Sequence, residues 1–335
     1  MATREIPMAA DLSDATFAGK KTNGESTSKM PVVASVVVLG LLALAGYGLS
    51  SVPQGPFAGQ TVEAVFPTAL WIAAGRQADA QSASPQIGSN INAGPDTIAK
   101  YFDNGVGMDF LRGFPINASI VWRTKFFDQA WMGAYLHDNI RQFVILAAGL
   151  DARAWRMPVD AATIVYEVDG AEAFAYKENR IPKDVPTKCT RKTVAADLRD
   201  PQWPSKLKAA GFDAKKPSFI LIEGLTMYLP YGAHLPLFQK VSSLMAPGSA
   251  VAWDALTNDW ALGEAKKDQY GLPTPNLLMA KHNVTWTWAE PVNENKKLVG
   301  AAGLTMKSFS EQFLPPPFVK VYGNVSMYAV MVAGK

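Results

Sequence analysis

The stretch Gln142–Arg156 limits what this chain can fold into more than any other. It opens with the apolar run Phe143-Val-Ile-Leu146 and passes through a small-residue turn, Ala147-Ala-Gly149-Leu-Asp151. It closes on Arg153 and Arg156. Thr163–Asp169 then repeats the apolar run and ends in two acids, Glu167 and Asp169. A buried strand, a tight turn, a helical crossover and a second strand with a terminal carboxylate form the front half of a nucleotide-binding βαβ unit. Further strands are predicted over Lys192–Ala196, Ser218–Ile222 and Ala250–Asp254, with helices over Ala171–Ile181, Pro201–Ala210 and His234–Met245. This alternation predicts an α/β fold: a doubly wound, mostly parallel sheet covered by helices. Ser326–Val332 is a last apolar strand whose direction the sequence leaves open.

Composition narrows the function. The 335 residues are 48% hydrophobic and 18% charged, which suits one large core or two modest ones. A net charge of +3, with no basic block, gives nucleic-acid binding no electrostatic support. The single cysteine, Cys189, excludes an internal disulfide framework. The three histidines, His137, His234 and His282, are too scattered for a metal cluster, so no metal is expected.

Before the sheet the chain changes character several times. Residues 1–29 are polar without apolar periodicity and read as a disordered tail. Pro31–Leu49 carries no charge and is long enough to span a bilayer, so 30–50 is expected to be a transmembrane or signal-anchor segment. Basic residues precede it (Arg4, Lys20, Lys21, Lys29), which leaves the N-terminus cytoplasmic and the main domain across an endomembrane. An organellar leader is the rival reading, weakened by Glu5, Asp11, Asp14 and Glu25. Residues 51–67 read as a Pro/Gly linker and 68–335 as the catalytic domain, with a helical N-terminal part. That part has helix patterns over 68–80, 96–103 and 119–140. Within it, 259–290 is an aromatic-rich insertion, read as a lid or as an extra packed hairpin or helix pair.

In doubly wound sheets the ligand sits outside the C-terminal strand ends. Here those ends carry Asp151, Glu167 with Asp169, Asp197 with Asp200, and Glu223. Carboxylates gathered there need donors. The first turn has one glycine where a dinucleotide fingerprint needs three, and an acid where a pyrophosphate would approach. That argues against a dinucleotide and against an ATP P-loop. A ligand with an amino-acid part, a ribose and an adenine fits better, and S-adenosyl-L-methionine is such a ligand.

The motifs Phe143–Arg156, Tyr166-Glu-Val-Asp169, Ala196-Asp-Leu-Arg-Asp200 and Ile222-Glu-Gly-Leu-Thr-Met-Tyr-Leu-Pro230 occur in that order, after Arg123-Thr-Lys-Phe-Phe-Asp128. Together they resemble the leucine carboxyl methyltransferase family, in particular its bacterial S-adenosylmethionine-dependent members. The likeness runs from Phe66 to the C-terminus and does not include Pro31–Leu49. It implies a class I methyltransferase, Rossmann-like domain binding S-adenosyl-L-methionine. It implies that Ala147, Gly149, Asp151 and Arg153 shape the turn at the methionine part, with Gly149 letting the backbone approach. Glu167 would take the ribose hydroxyls with Asp169 beside it, and Asp197 and Leu198 would meet the adenine. Glu223 would lie near the amino end, Arg123 would bind a carboxylate of cofactor or substrate, and Tyr228 would belong to the transfer site. Arg153 and Arg156 also have a plainer reading as partners of nearby acids, and Tyr228 as core.

A sulfonium methyl is already activated, so the protein mainly has to align it with the acceptor. A carboxylate acceptor needs no base, whereas an alcohol or phenol is helped by one. No histidine falls in these motifs, which favours a carboxylate or an acidic hydroxyl. The expected activity is O-methylation of a small molecule by a membrane-tethered enzyme. A protein C-terminal carboxylate is the alternative acceptor, and a catalytically silent scaffold of the same fold is the alternative outside enzymes.

Overall fold

A computed structural model describes residues 62–102, 105–113, 117–257, 284–313 and 326–335. The expected tail, membrane segment 31–49 and most of the linker lie outside the described residues, as do 258–283 of the expected insertion. Among the described residues no helix is long and apolar enough to cross a membrane.

The N-terminal part is helical: α1 (Val62–Ala80), a 3-10 turn at Ala99–Phe102, α2 (Val106–Gly113) and α3 (Asn117–Leu136). Helix α1 starts inside the segment read as linker and contains Pro67. The expected helix over 96–103 is only the 3-10 turn, opened by the Asp96 carboxylate accepting the Ala99 N–H at 3.2 Å.

The alternating part follows as β1 (Gln142–Leu146), the single turn α4 (Arg153–Arg156), β2 (Ile164–Asp169) and α5 (Ala171–Arg180). Next come β3 (Thr190–Ala195), α6 (Trp203–Ala209), β4 (Phe219–Ile222), a 3-10 turn (Thr226–Tyr228), α7 (His234–Leu244) and β5 (Ala250–Leu256). The chain ends with α8 (Val292–Ala301), β6 (Thr305–Phe313) and β7 (Ser326–Gly334). The seven strands lie in the order β3-β2-β1-β4-β5-β7-β6. The first five are parallel, and β7 runs antiparallel to both β5 and β6. This is the mostly parallel, doubly wound sheet expected, with the direction of the last strand now fixed.

Each central strand is buried on both faces, which is why it reads as an unbroken apolar run. Phe143 and Ile145 face the N-terminal helices with Trp131 and Phe219, and Trp131 stacks on Phe143 at 4.2 Å. Val144 and Leu146 face the opposite core with Trp203, Phe238 and Trp253. Burial of such side chains contributes about 1.5–3 kcal/mol each. These two layers hold the strand ends in register and so position the turns beyond them.

The described end of the expected lid, 284–290, belongs to the core. Val284, Trp286 and Trp288 are buried, and Thr287 is tied to the Met227 carbonyl at 2.7 Å.

Candidate active site

A cavity of about 300 Å³ opens outside the C-terminal ends of the parallel strands. Its floor is the β1 turn. Ala147, a non-glycine residue, is held there at φ +53°, and Gly149 follows at φ +44°. A left-handed alanine costs roughly 1–2 kcal/mol, so strong neighbouring contacts must hold the turn. One of them is Asp169, at the end of β2. Its carboxylate accepts the Gly149 N–H and the Gly170 N–H, both at 2.6 Å. Burial pushes the Asp169 carboxyl up, and the two N–H donors oppose that.

The wall beyond β4 is an ion-pair lattice centred on Glu223. Its Oε1 accepts from Arg76 Nη2 at 2.7 Å and from Arg123 Nε at 3.0 Å, and its Oε2 accepts from Arg153 Nη1 at 2.7 Å. Arg153 also pairs with Asp151, and its Nε donates to Asp128 at 2.9 Å. Arg156 grips the same Asp128 through two N–H groups at 2.7 and 2.6 Å. Arg123 Nη1 reaches Asp254 at 3.1 Å and the Tyr328 hydroxyl at 2.9 Å. Burial alone would push Glu223 up, but Arg153, Arg76 and Arg123 outweigh it and hold the carboxyl well below the usual range. Asp254 goes the other way: burial dominates over Arg123 and lifts it to about 6. Gly224, at φ +72°, lies against Arg123, where an added Cβ would stand 3.4 Å from Nη1. The left-handed backbone and the close guanidinium together call for glycine.

The structure sorts the expected site residues. Arg123, Ala147, Gly149, Asp151, Asp169, Asp197, Leu198, Glu223 and Tyr228 all line the cavity. Glu167 and Arg153 do not. Glu167 is fully buried one pleat inside the sheet, paired with Lys177 at 2.8 Å and Arg191 at 2.8 Å. Its charge is neutralised from α5 and β3, whereas Asp169, the last residue of β2, lines the cavity. Arg153 is fully buried behind the turn and braces Asp151 and Glu223. Asp197 lies at the end of β3, where Arg199 pairs with it and holds it low. Burial raises the Tyr228 phenol, opposed by hydrogen bonds with Thr68 and Trp286.

Three residues bonded to Glu223 or Arg123 fall outside every motif: Arg76, Asp254 and Tyr328. Arg76 had one signal, an arginine directly after the apolar and small run Ala69–Gly75. Asp254 lies inside the apolar strand β5 and Tyr328 near the start of β7, and neither gives a local signal for a site.

The donor set can be tested against the expected ligand. Asp169 and Asp197, at the β2 and β3 ends, are acceptors suited to ribose hydroxyls and an adenine amine. Arg76, Arg123 and Glu223, at the β4 end, offer both charges to an amino-acid group. The residues present therefore fit S-adenosyl-L-methionine lying along the strand ends from β3 to β4. His137 is exposed and does not line the cavity. His234 is buried, stacked on Trp288 at 3.8 Å and bonded through Nε2 to the Thr226 carbonyl. His282 lies outside the described residues.

Comparison with known proteins agrees with the geometry. The family model for leucine carboxyl methyltransferase matches residues 92–242. A Mycobacterium tuberculosis protein, provisionally named an S-adenosyl-L-methionine-dependent methyltransferase, is 39% identical over 235 residues. That match covers 62% of this chain and 72% of the relative. A Mycobacterium marinum protein of the same provisional name is 38% identical over 203 residues, covering 55% and 64%. A solved Thermobifida fusca structure, provisionally described as a methyltransferase, has a TM-score of 0.50 at 18% identity. It covers 78% of this chain and 94% of its own, and supports the fold. These relatives are bacterial, so the endomembrane location expected from the sequence is not retained; the expected span 31–49 itself lies outside the described residues. Sequence motifs, sheet order and a relative covered over 72% of its length agree: the chain belongs to the leucine carboxyl methyltransferase family.

Proposed function

We propose that this S-adenosyl-L-methionine-dependent methyltransferase is an O-methyltransferase acting on a small molecule that presents a carboxylate or an acidic hydroxyl. The family supplies the enzyme class and the cofactor. The acceptor reading rests on one observation: apolar and aromatic residues with Arg123 line the cavity beyond Glu223, and no histidine does among the described residues.

When bound, the cofactor supplies an electrophilic methyl on a sulfonium. The chain's own residues bind, orient and exclude water. Asp169 and Asp197 hold the nucleoside, and Glu223 with Arg76 and Arg123 faces the amino-acid end. Tyr228, Leu229 and Trp286 shield the transfer site from solvent. Orientation of this kind can lower a barrier by roughly 7–11 kcal/mol. An anionic oxygen needs no proton removed, so alignment suffices.

The test is incubation with methyl-labelled cofactor and a panel of carboxylic acids, phenols and peptides ending in a free carboxylate, followed by mild base. Label on a small-molecule oxygen, lost in Asp169→Ala, is expected. Label on nitrogen or carbon alone, or on peptides alone, overturns the reading. Calorimetry with S-adenosylhomocysteine checks the cofactor residues separately. Asp169→Ala is expected to lose binding, and unchanged binding sinks its role.

A further inference from the structure

Beyond the residues that face the cofactor, we propose that Tyr328 is an acceptor-binding residue: its hydroxyl donates to an acceptor oxygen other than the one methylated. The inference rests on the proposed O-methyl transfer and deepens it.

The sheet order separates the two ligands. The nucleoside acids stand at β2 and β3, the turn at β1 and Glu223 at β4. Tyr328 stands on β7, paired with Leu256 of β5, on the far side of β4 from the nucleoside. It lines the cavity there with Leu256, Met327 and Trp286, an apolar surround with no matching feature in the cofactor's nucleoside.

The hydroxyl is polarised and fixed. It accepts from Arg123 Nη1 at 2.9 Å, and a phenol that accepts keeps its own proton to give. The carboxylate that shares Arg123 Nη1 with it is already engaged: Asp254 takes the Gly224 N–H at 2.7 Å through Oδ1 and Arg123 through Oδ2. The ring packs edge-on against Trp122 at 6.3 Å, and the residue is only 6% exposed. Little rotamer freedom is left to lose when the hydroxyl engages a ligand. Arg123, paired with Glu223 and Asp254, holds the hydroxyl in place, and Tyr328 presents the neutral donor. An acceptor whose reacting oxygen is one of a pair can set that oxygen at the methyl and give the other to Tyr328. Such an acceptor is a carboxylate on an apolar body.

The experiment uses the full chain saturated with S-adenosylhomocysteine and two matched probes, 2-naphthoate and 2-naphthylmethanol. Wild type is expected to bind the carboxylate about tenfold or more tighter. Tyr328→Phe is expected to lose most of that preference at unchanged S-adenosylhomocysteine affinity. Tyr328→His keeps a ring-borne N–H donor and is expected to retain part of the preference. Wild type without a preference, or Y328F with the full one, overturns the inference and leaves the methyltransferase reading standing. Failure of wild type to bind S-adenosylhomocysteine overturns that reading, and this inference with it. The wild-type comparison decides even if Y328F folds poorly, and a melting curve of the variant separates misfolding from lost recognition.

Discussion

The two ends of the cavity are built on opposite principles. At β4 the charged groups are buried and interlocked: Glu223, 5% exposed at its side chain, is shared by Arg76, Arg123 and Arg153. At β3, Asp197 and Arg199 clasp each other within one turn, and their side chains are 42% and 55% exposed. The first arrangement is fixed before any ligand arrives. The second opens in water at little cost, because exposed pairs contribute only about 0–1 kcal/mol. The end where methyl transfer would occur is therefore rigid, and the end that recognises a handle is adaptable.

The sharpest way to break this contrast is Glu223→Gln. It leaves three buried guanidinium groups around a neutral amide, and stability is expected to fall by about 3–5 kcal/mol in denaturant unfolding. A loss near zero would mean that the lattice is not what holds this end.

Next comes pH. Burial lifts Asp254 to about 6 from an ordinary value of 3.8, so its folded form binds a proton more tightly than its unfolded form. Its stabilising contribution is full below 3.8 and is lost as pH rises to about 6. Wild-type stability minus that of Asp254→Asn is expected to drop by about 3 kcal/mol across that window and then level off. A rising difference would reverse the assignment.

Asp197→Ala probes the open end. It is expected to weaken S-adenosylhomocysteine binding about tenfold in calorimetry, with melting unchanged. A large stability loss would show the clasp to be structural. The smallest effect is expected at the turn between the two ends. Ala147→Gly relieves a left-handed alanine and is expected to raise stability by about 1 kcal/mol.

The same contrast explains what the sequence disclosed. Strands β1, β2, β4 and β5 were legible because burial on both faces writes an apolar run. The acids beyond them were legible because the chain places them just after those runs. Choosing between Glu167 and Asp169 was not, since the two share a face and only the true strand length shows which one emerges. Two cations covering Glu167, Lys177 from α5 and Arg191 from β3, come from separate elements. Asp254 and Tyr328 were missed for the same reason, and Arg76 showed only as a charge after an apolar run: their site partners are made by tertiary contact, which local spacing does not show.

Glu223 also has a consequence for the order in which the molecule is made. It draws its arginines from α1, α3 and α4, and its partner Arg76 precedes it by 147 residues. At about 5–20 residues per second, Arg76 is made roughly seven to thirty seconds before its counter-charge exists. Until then Arg76 has no reason to leave water, and the rigid end of the cavity cannot form. The charged end of the cavity therefore takes shape only once β4 has been made and has joined the sheet.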